Sequence, residues 1–364
     1  VRFRCERDAL AEALSTAARA AAGRTGALPV LSGLHLDLHG DELKITGTDL
    51  ELTIQLVVDV GGDGDGATVL PARLVADIVR SLPAGAVELR FADEEVHIAA
   101  GRSQFSVRPL AIDDYPRQPD APSEGVTVSS AVLTDALRQV VRAASTDEAR
   151  AILTGVLLSS DDDGVRMVAT DSYRLAVRDL PDTNVLSAGQ KVLIPGRALS
   201  ELQRVLTAGE SVTVRLGQRE AAFEVGAVRL TTRLIEGEFP NYKNLIPSSY
   251  PNQLTVGRDA LLEALRRVKI LAREATPVRL ALGGPTLQLT AITQDVGNAA
   301  EELDASYEGT EMTVAFNPDY LASGVEAVDA DEVTLSTLDP MKPAVLRGIG
   351  RDDYLYLLMP VRVP

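Results

Sequence analysis

At 364 residues the chain has room for two or three domains with cores of their own, and its single cysteine, Cys5, excludes a disulfide framework or a cysteine-rich metal site. Fifty-two acidic against 36 basic residues leave a net charge of −16, so any polyanion would have to be held by basic residues gathered on one surface. With no tryptophan, few aromatics, no apolar run of membrane-spanning length and acidic Glu6 and Asp8 near the start, we expect a cytoplasmic protein without an aromatic base-stacking platform.

Residues 8–22 carry Leu10, Leu14, Ala17 and Ala21 at i, i+4, i+7 and i+11, which predicts a helix with one apolar stripe. Residues 34–38 then alternate as a strand, and a hairpin follows around Thr48-Asp49 in ITGTDLELTIQL. The run GGDGDGA at 61–67 imitates part of a calcium loop. The twelfth position counted from Asp63 is Leu74 where such a loop needs glutamate, so the run reads as a flexible hairpin loop. Leu70-Pro71-Ala72-Arg73 opens a second helix ending near Leu82, with Pro71 suited to its first turn, and residues 87–91 form a further strand. Proline-containing residues 115–122 read as a linker.

The same order then returns twice. Residues 130–145 carry Leu133, Leu137, Val140 and Ala144, and residues 258–274 carry Leu261, Leu265, Val268 and Ala272, in the register of the first helix. Strands are predicted at 156–160 and 278–282, broken by turn signals at 161–164 and 283–285. VATDSYRLAVR at 168–178 repeats the Thr-Asp hairpin, and Gln294-Asp295 supplies a third, placing Asp49, Asp171 and Asp295 122 and 124 residues apart. Second helices open at Ile194-Pro195-Gly196-Arg197 and Phe316-Asn317-Pro318-Asp319, with Pro71, Pro195 and Pro318 separated by 124 and 123 residues. Strands at 212–216 and 333–336 follow, and residues 247–251 form another linker. A period of about one small domain predicts an α+β protein of three similar domains, 1–117, 126–246 and 252–364, each with two helices packed on antiparallel sheets.

Away from the apolar stripes the helices repeat basic positions. Arg19 and Arg142 share a register, Arg138 lies four residues before Arg142, and the third copy has Arg266, Lys269 and Arg273 at i, i+3, i+7. The second helices carry Arg73 with Arg80 and Arg197 with Arg204, at equal seven-residue separations. Asp319 and Glu326 stand on the third of these helices, so a basic lining is weaker there. Each face alone reads as a solvated one; recurrence in register points to a surface for a polyanion. In the third copy the register of Arg19 and Arg142 falls on Ile270, followed by Leu271, which suggests a contact surface or else a wider core stripe. Phe105-Ser106-Val107 is the candidate for the opposite half, and such a head-to-tail contact made twice closes a ring.

With these motifs in place the full chain resembles the bacterial replicative sliding clamp, the beta subunit of DNA polymerase III. The resemblance rests on ATDSYRLAV at 169–177, LIEGEFPNYKNLIP at 234–247, FNPDYL at 316–321 and LLMPVR at 357–362. It implies the DNA-clamp fold, a homodimeric six-domain ring whose helices face duplex DNA without sequence preference, and loading by an ATP-driven clamp loader. The replicative polymerase, other polymerases and repair proteins would be tethered through short linear peptides. The implied peptide cleft comprises Leu153, Thr170, Ser172, Tyr173, Arg174, Leu175, Pro240, Leu245, Asn317, Tyr320, Met341, Pro343, Met359, Pro360, Val361 and Arg362, apolar walls with polar rims in which methionine suits several peptides. The resemblance also places Arg24 near DNA. Thr146, Asp147, Glu148 and Ala149 stand where some relatives have aromatic and amide residues, which argues against DNA contact by that loop, and Ser172 and Tyr173 are variants in the cleft.

Enzyme classes find no support. There is no phosphate-binding GxxxxGK[ST] motif and no nucleophile elbow, and no cofactor is implied. His35 and His39 fall on one face of a predicted strand without a third ligand, and read as a solvated pair. Asp49, Asp171 and Asp295 suit turns. Two other readings stay open: a specialised clamp paralogue with an altered cleft, such as one conferring tolerance to a clamp-directed antibiotic, and a protein-binding repeat scaffold, which would not need the recurrent arginines.

Overall fold

The computed structural model describes residues 1–23, 28–118, 120–122, 124–161, 163–206, 210–272 and 275–363. Its helices among these are α1 (Arg7–Ala18), α2 (Ala72–Ser81), α3 (Ser130–Val140), α4 (Gly196–Val205), α5 (Arg258–Lys269) and α6 (Pro318–Ala327). Leu10, Leu14 and Ala17 are buried on α1, Leu133, Leu137 and Val140 on α3, and Leu261, Leu265 and Val268 on α5, as the apolar spacing requires. The side chain of Asn317 accepts hydrogen bonds from the N–H groups of Asp319 and Tyr320, and with Pro318 at the first helical position it starts α6.

The long first helix expected in each copy stops four or five residues early. After α1 the amides of Ala20 and Ala21 turn back to carbonyls three residues before them, and the amide of Ala22 leaves the helix to donate to Leu31. After α3, Val141–Ala143 is a 3-10 turn and the amide of Ser145 donates to Leu153. After α5, Ile270, Leu271 and Ala272 likewise bond three residues back. The apolar stripe continues through these turns, so periodicity alone did not mark the end.

The chain forms two compact units, Val1–Ala131 with Ser200–Leu234 and Val132–Leu199 with Ile235–Pro364. In the first, a five-stranded sheet runs edge to edge through Gly61–Asp63, Arg2–Glu6, Ala86–Phe91, Val96–Ala100 and Ser103–Val107. An eight-stranded sheet there orders Val126–Ser129, Ser211–Leu216, Glu220–Val225, Val228–Arg233, Leu52–Asp59, Glu42–Thr48, Gly33–His39 and Gly66–Pro71. The second unit holds a twelve-stranded sheet in the order Lys191–Pro195, Gly155–Asp161, Gly164–Thr170, Arg174–Pro181, Arg351–Leu358, Ala344–Gly348, Glu332–Thr337, Asn252–Gly257, Gly297–Glu308, Thr286–Thr293, Val278–Gly283, Met312–Phe316. The second copy thus gives four strands to the eight-stranded sheet and four to the twelve-stranded one, which is why three sequence repeats become two compact units.

Three sequence expectations change. The GGDGDGA run is not a plain hairpin loop: Gly61–Asp63 pairs with Arg2–Arg4, whereas Gly66–Pro71 pairs with Gly33–Leu38, so the chain crosses here from one sheet to the other. A Cβ on Gly62 would lie 1.8 Å from the Gly40 carbonyl oxygen, so the crossing requires glycine. His35 and His39 are not a solvated pair. The His35 ring stacks on Tyr115 at 5.2 Å and burial lowers its pKa, while exposed His39 lies 3.2 Å from Asp37. The third hairpin is one residue shorter than its siblings, since Thr293 pairs with Gly297 where Thr48 pairs with Thr53 and Thr170 with Leu175. The left-handed residues of the three turns are therefore Leu50, Ser172 and Asp295, so Asp295 does not match Asp171.

Candidate nucleic-acid interface and peptide cleft

The second unit assembles its surface around the turn Asp171–Tyr173. The Thr170 hydroxyl donates to the Arg174 carbonyl at 2.6 Å and accepts from the Ser172 amide, while one Asp171 carboxylate oxygen accepts from the amides of Tyr173 and Arg174 at 2.9 and 3.0 Å. These bonds hold Ser172 at φ 78°, a cost for a non-glycine residue that the buried carboxylate offsets. Thr48 and Asp49 make the same bonds in the first copy.

Beyond the turn, Arg174 pairs with Leu358 and Leu175 with Leu357, and the Met359 amide donates to the Tyr173 carbonyl at 3.0 Å. The chain then peels away, with the Val361 amide bonded to Ala315. The Tyr173 ring stacks on Tyr320 with centroids 6.3 Å apart, and the Arg174 guanidinium carbon lies 4.4 Å from the centre of the Tyr320 ring. Tyr356 donates to the Tyr320 carbonyl at 2.8 Å. Burial pushes the Tyr356 phenol up to about 12, and neighbouring Arg174 pulls against that. Burial disfavours the Arg174 charge in turn, yet Tyr356 and Asp171 outweigh it and hold the guanidinium above its ordinary value.

Among the residues expected in the cleft, Tyr173, Leu245, Met341, Met359 and Val361 are exposed apolar side chains. The same unit holds a core of Leu157, Val168, Leu175, Val177, Leu193, Tyr242, Val345, Leu355 and Leu357, against which Ile152, Ile235, Phe239, Ile246 and Tyr250 pack. Ser172, Pro240 and Arg362 are exposed, while Leu153, Asn317, Tyr320, Pro343 and Pro360 are half-buried. Thr170 and Leu175 are buried: one ties the turn and the other packs in the core. Asn317 and Val361 also line a 920 Å³ cavity with Lys269, Thr276 and Asp319. Sequence reasoning missed Arg150, whose guanidinium donates to the Asp171 carbonyl and the Ser172 hydroxyl. It has no counterpart in the repeat pattern that could have marked it.

The helical cations carry partners. In the first unit Arg19 lies 2.7 Å from Glu201, which Arg204 also approaches at 3.7 Å, and Arg80 bonds Ser15 and Asp77. In the second, Arg142 and Arg266 approach the two oxygens of Glu326 at 2.9 and 3.8 Å, and Lys269 pairs with Asp319. Arg138 departs from expectation: it is half-buried and donates to the carbonyls of Glu326 and Ala327, the negative end of α6, so it serves the fold. Arg73 and Arg197 are exposed. Arg24 and Arg273 lie outside the described residues.

For the expected contact surface, Ile270 is 81% exposed and Leu271 half-buried, with its side chain 4.0 Å from where a Cβ on Gly297 would sit. Ile292 and Val296 add exposed apolar side chains that sequence reasoning did not single out. Phe105 is exposed on the edge strand Ser103–Val107, whereas the Val107 side chain is buried in its own unit.

Family models of the DNA polymerase III beta subunit match this chain three times: the N-terminal domain at residues 1–119, the central domain at 127–241 and the C-terminal domain at 243–362. The chain belongs to the DNA polymerase III beta-subunit family. It is similar to the beta sliding clamp of Streptomyces coelicolor, 35% identical over the whole of both chains, and to that of Staphylococcus aureus, 32% identical over 99% of each. A solved DNA polymerase sliding clamp from Bacillus subtilis matches 100% of this chain and 99% of its own with a TM-score of 0.92 at 27% identity. The family is a non-catalytic processivity factor of DNA polymerase III. Among the described residues no helix is long and apolar enough to cross a membrane.

Proposed function

We propose that this DNA sliding clamp works in the cytoplasm as a homodimer closed head to tail around duplex DNA. Its three domains, 1–117, 126–246 and 252–364, would supply six to the ring. The replicative polymerase, the clamp loader and repair proteins would dock through short peptides on the surface around Tyr173, Tyr320, Met341 and Met359. The observation that carries the closure is a repeated strand pairing. The last strand of the second copy, Val228–Arg233, pairs with Leu52–Asp59 of the first, and the last strand of the third, Arg351–Leu358, pairs with Arg174–Pro181 of the second. By the same rule Ser103–Val107, an edge strand, belongs beside Gly297–Asp304, which among the described residues pairs with Thr286–Thr293 on one side alone. A second copy would supply that last pairing, twice in a closed dimer.

Ile270, next in the chain to Leu271, whose side chain lies beside Gly297, and Phe105 on the complementary edge then become the apolar centre of the contact. Sedimentation equilibrium tests this: the native chain sediments as a dimer, and Ile270→Asp or Phe105→Asp gives monomers with native circular dichroism. A native chain that stays monomeric at micromolar concentration overturns the closure. Inside such a ring Arg73, Arg197 and the other helical cations hold phosphates weakly and without base preference, and topology provides the retention. A polymerase tied to the ring stays near the primer end by effective concentration.

A further inference from the structure

The repeat places Arg80, Arg204 and Glu326 at one register of α2, α4 and α6, so the third copy reverses the charge that the other two carry there. Glu326 does not face solvent alone. One carboxylate oxygen accepts from Arg142 at 2.9 Å and the other lies 3.8 Å from Arg266, two of the cations expected to meet DNA. Glu201 in the first unit does the same with Arg19 at 2.7 Å and Arg204 at 3.7 Å. Lys269 pairs with Asp319, in the first turn of α6, two residues after its cap Asn317.

We propose that Glu326 and Glu201 are internal competitors for the DNA phosphates: each occupies a pair of arginines in the free chain, so that a phosphate gains a cation only by displacing a carboxylate. This rests on the encircling function proposed above and adds a regulation to it. A cation already neutralised at under 4 Å contributes little field at a distance and releases fewer counterions when it meets DNA, so attraction is blunted. The arginines stay extended and ready, since their own carboxylates position them. Partner exchange between a fixed carboxylate and a passing phosphate suits a ring that must move along the duplex, because no phosphate contact is made against an empty alternative. Arg73, which has no ion pair among the described residues, lies outside the device.

The test uses the full-length dimer and a fluorescein-labelled duplex, with anisotropy titrations across a salt series. Glu326→Gln keeps the size of the side chain and an oxygen that accepts from Arg142, while removing the charge. It is expected to tighten duplex binding by about tenfold at low salt and to steepen the slope of log K against log salt by roughly 0.9 for each arginine released. Arg142→Gln added to Glu326→Gln should cancel part of that gain. Glu201→Gln is the independent second variant, with the same expected direction. Unchanged or weaker binding in both single variants overturns the proposal. Arg73→Gln separates the two levels: weaker binding by this variant with no effect of the glutamines refutes the competitor role alone, whereas no effect of any of them refutes the DNA-facing assignment beneath it.

Discussion

Replacing Asp171 dissects how the cleft is held. Its buried carboxylate accepts from two backbone amides of the turn and from the Arg174 guanidinium at 3.2 Å, a pair whose side chains are 10% and 13% exposed. Asp171→Ala leaves two amides without acceptors and an arginine with less compensation, three losses of about 1 kcal/mol each, so we expect destabilisation of roughly 2–4 kcal/mol. Asp171→Asn retains one acceptor oxygen for the amides and loses the charge, and should cost about 1–2 kcal/mol. The turn also sets Tyr173 over Tyr320, so the alanine variant should weaken a fluorescent partner peptide about tenfold or more in a polarisation assay. Asp49→Ala is the internal control, because the same turn bonds exist there without the tyrosine pair. It should cost stability and leave peptide affinity unchanged. Equal stability losses for Asp171→Ala and Asp171→Asn, or an equal peptide defect in Asp49→Ala, would refute the reasoning.

Two further outcomes follow from the packing behind the cleft. Tyr356 titrates near 12 when folded and near its ordinary 10 when unfolded, so its contribution is fully present below about pH 10 and is lost as the pH rises towards 12, up to about 2–3 kcal/mol. Urea unfolding across that window should therefore fall less steeply in Tyr356→Phe than in the native chain; parallel curves would deny the linkage. A Cβ on Gly324 would stand 2.5 Å from the Tyr356 ring, so Gly324→Ala should cost about 1–3 kcal/mol and displace that ring from the Tyr320 carbonyl, and an unaltered midpoint would contradict the packing.

What was legible in the sequence is what repeats or is locally determined. The stripe Leu10, Leu14, Ala17 and its two counterparts dictate buried helix faces, and the Thr-Asp turn at 170–171 fixes its own hydrogen bonds. What was not legible depends on partners far along the chain. The ends of the first helices are set by amides captured by Leu31 and Leu153, and the crossing at Gly61–Asp63 by the distant strand Arg2–Glu6. His35 is shielded by Tyr115, 80 residues away, a contact that no local pattern encodes. In the site, chemistry was easier to read than access. Leu175 and Val107 have the residue type of a contact, yet their side chains are buried, and Arg138 bonds the end of α6. Arg150 could not be read because its role exists only once the Asp171 turn is folded.

Topological retention is the central claim, and loading onto a nicked circular plasmid followed by gel filtration, with and without prior linearisation, tests it most directly. The account predicts that the clamp elutes with the circle and is lost from the cut molecule, because weak phosphate contacts cannot hold a ring on DNA with free ends. Equal retention on circular and linear DNA, or none on either, would contradict it.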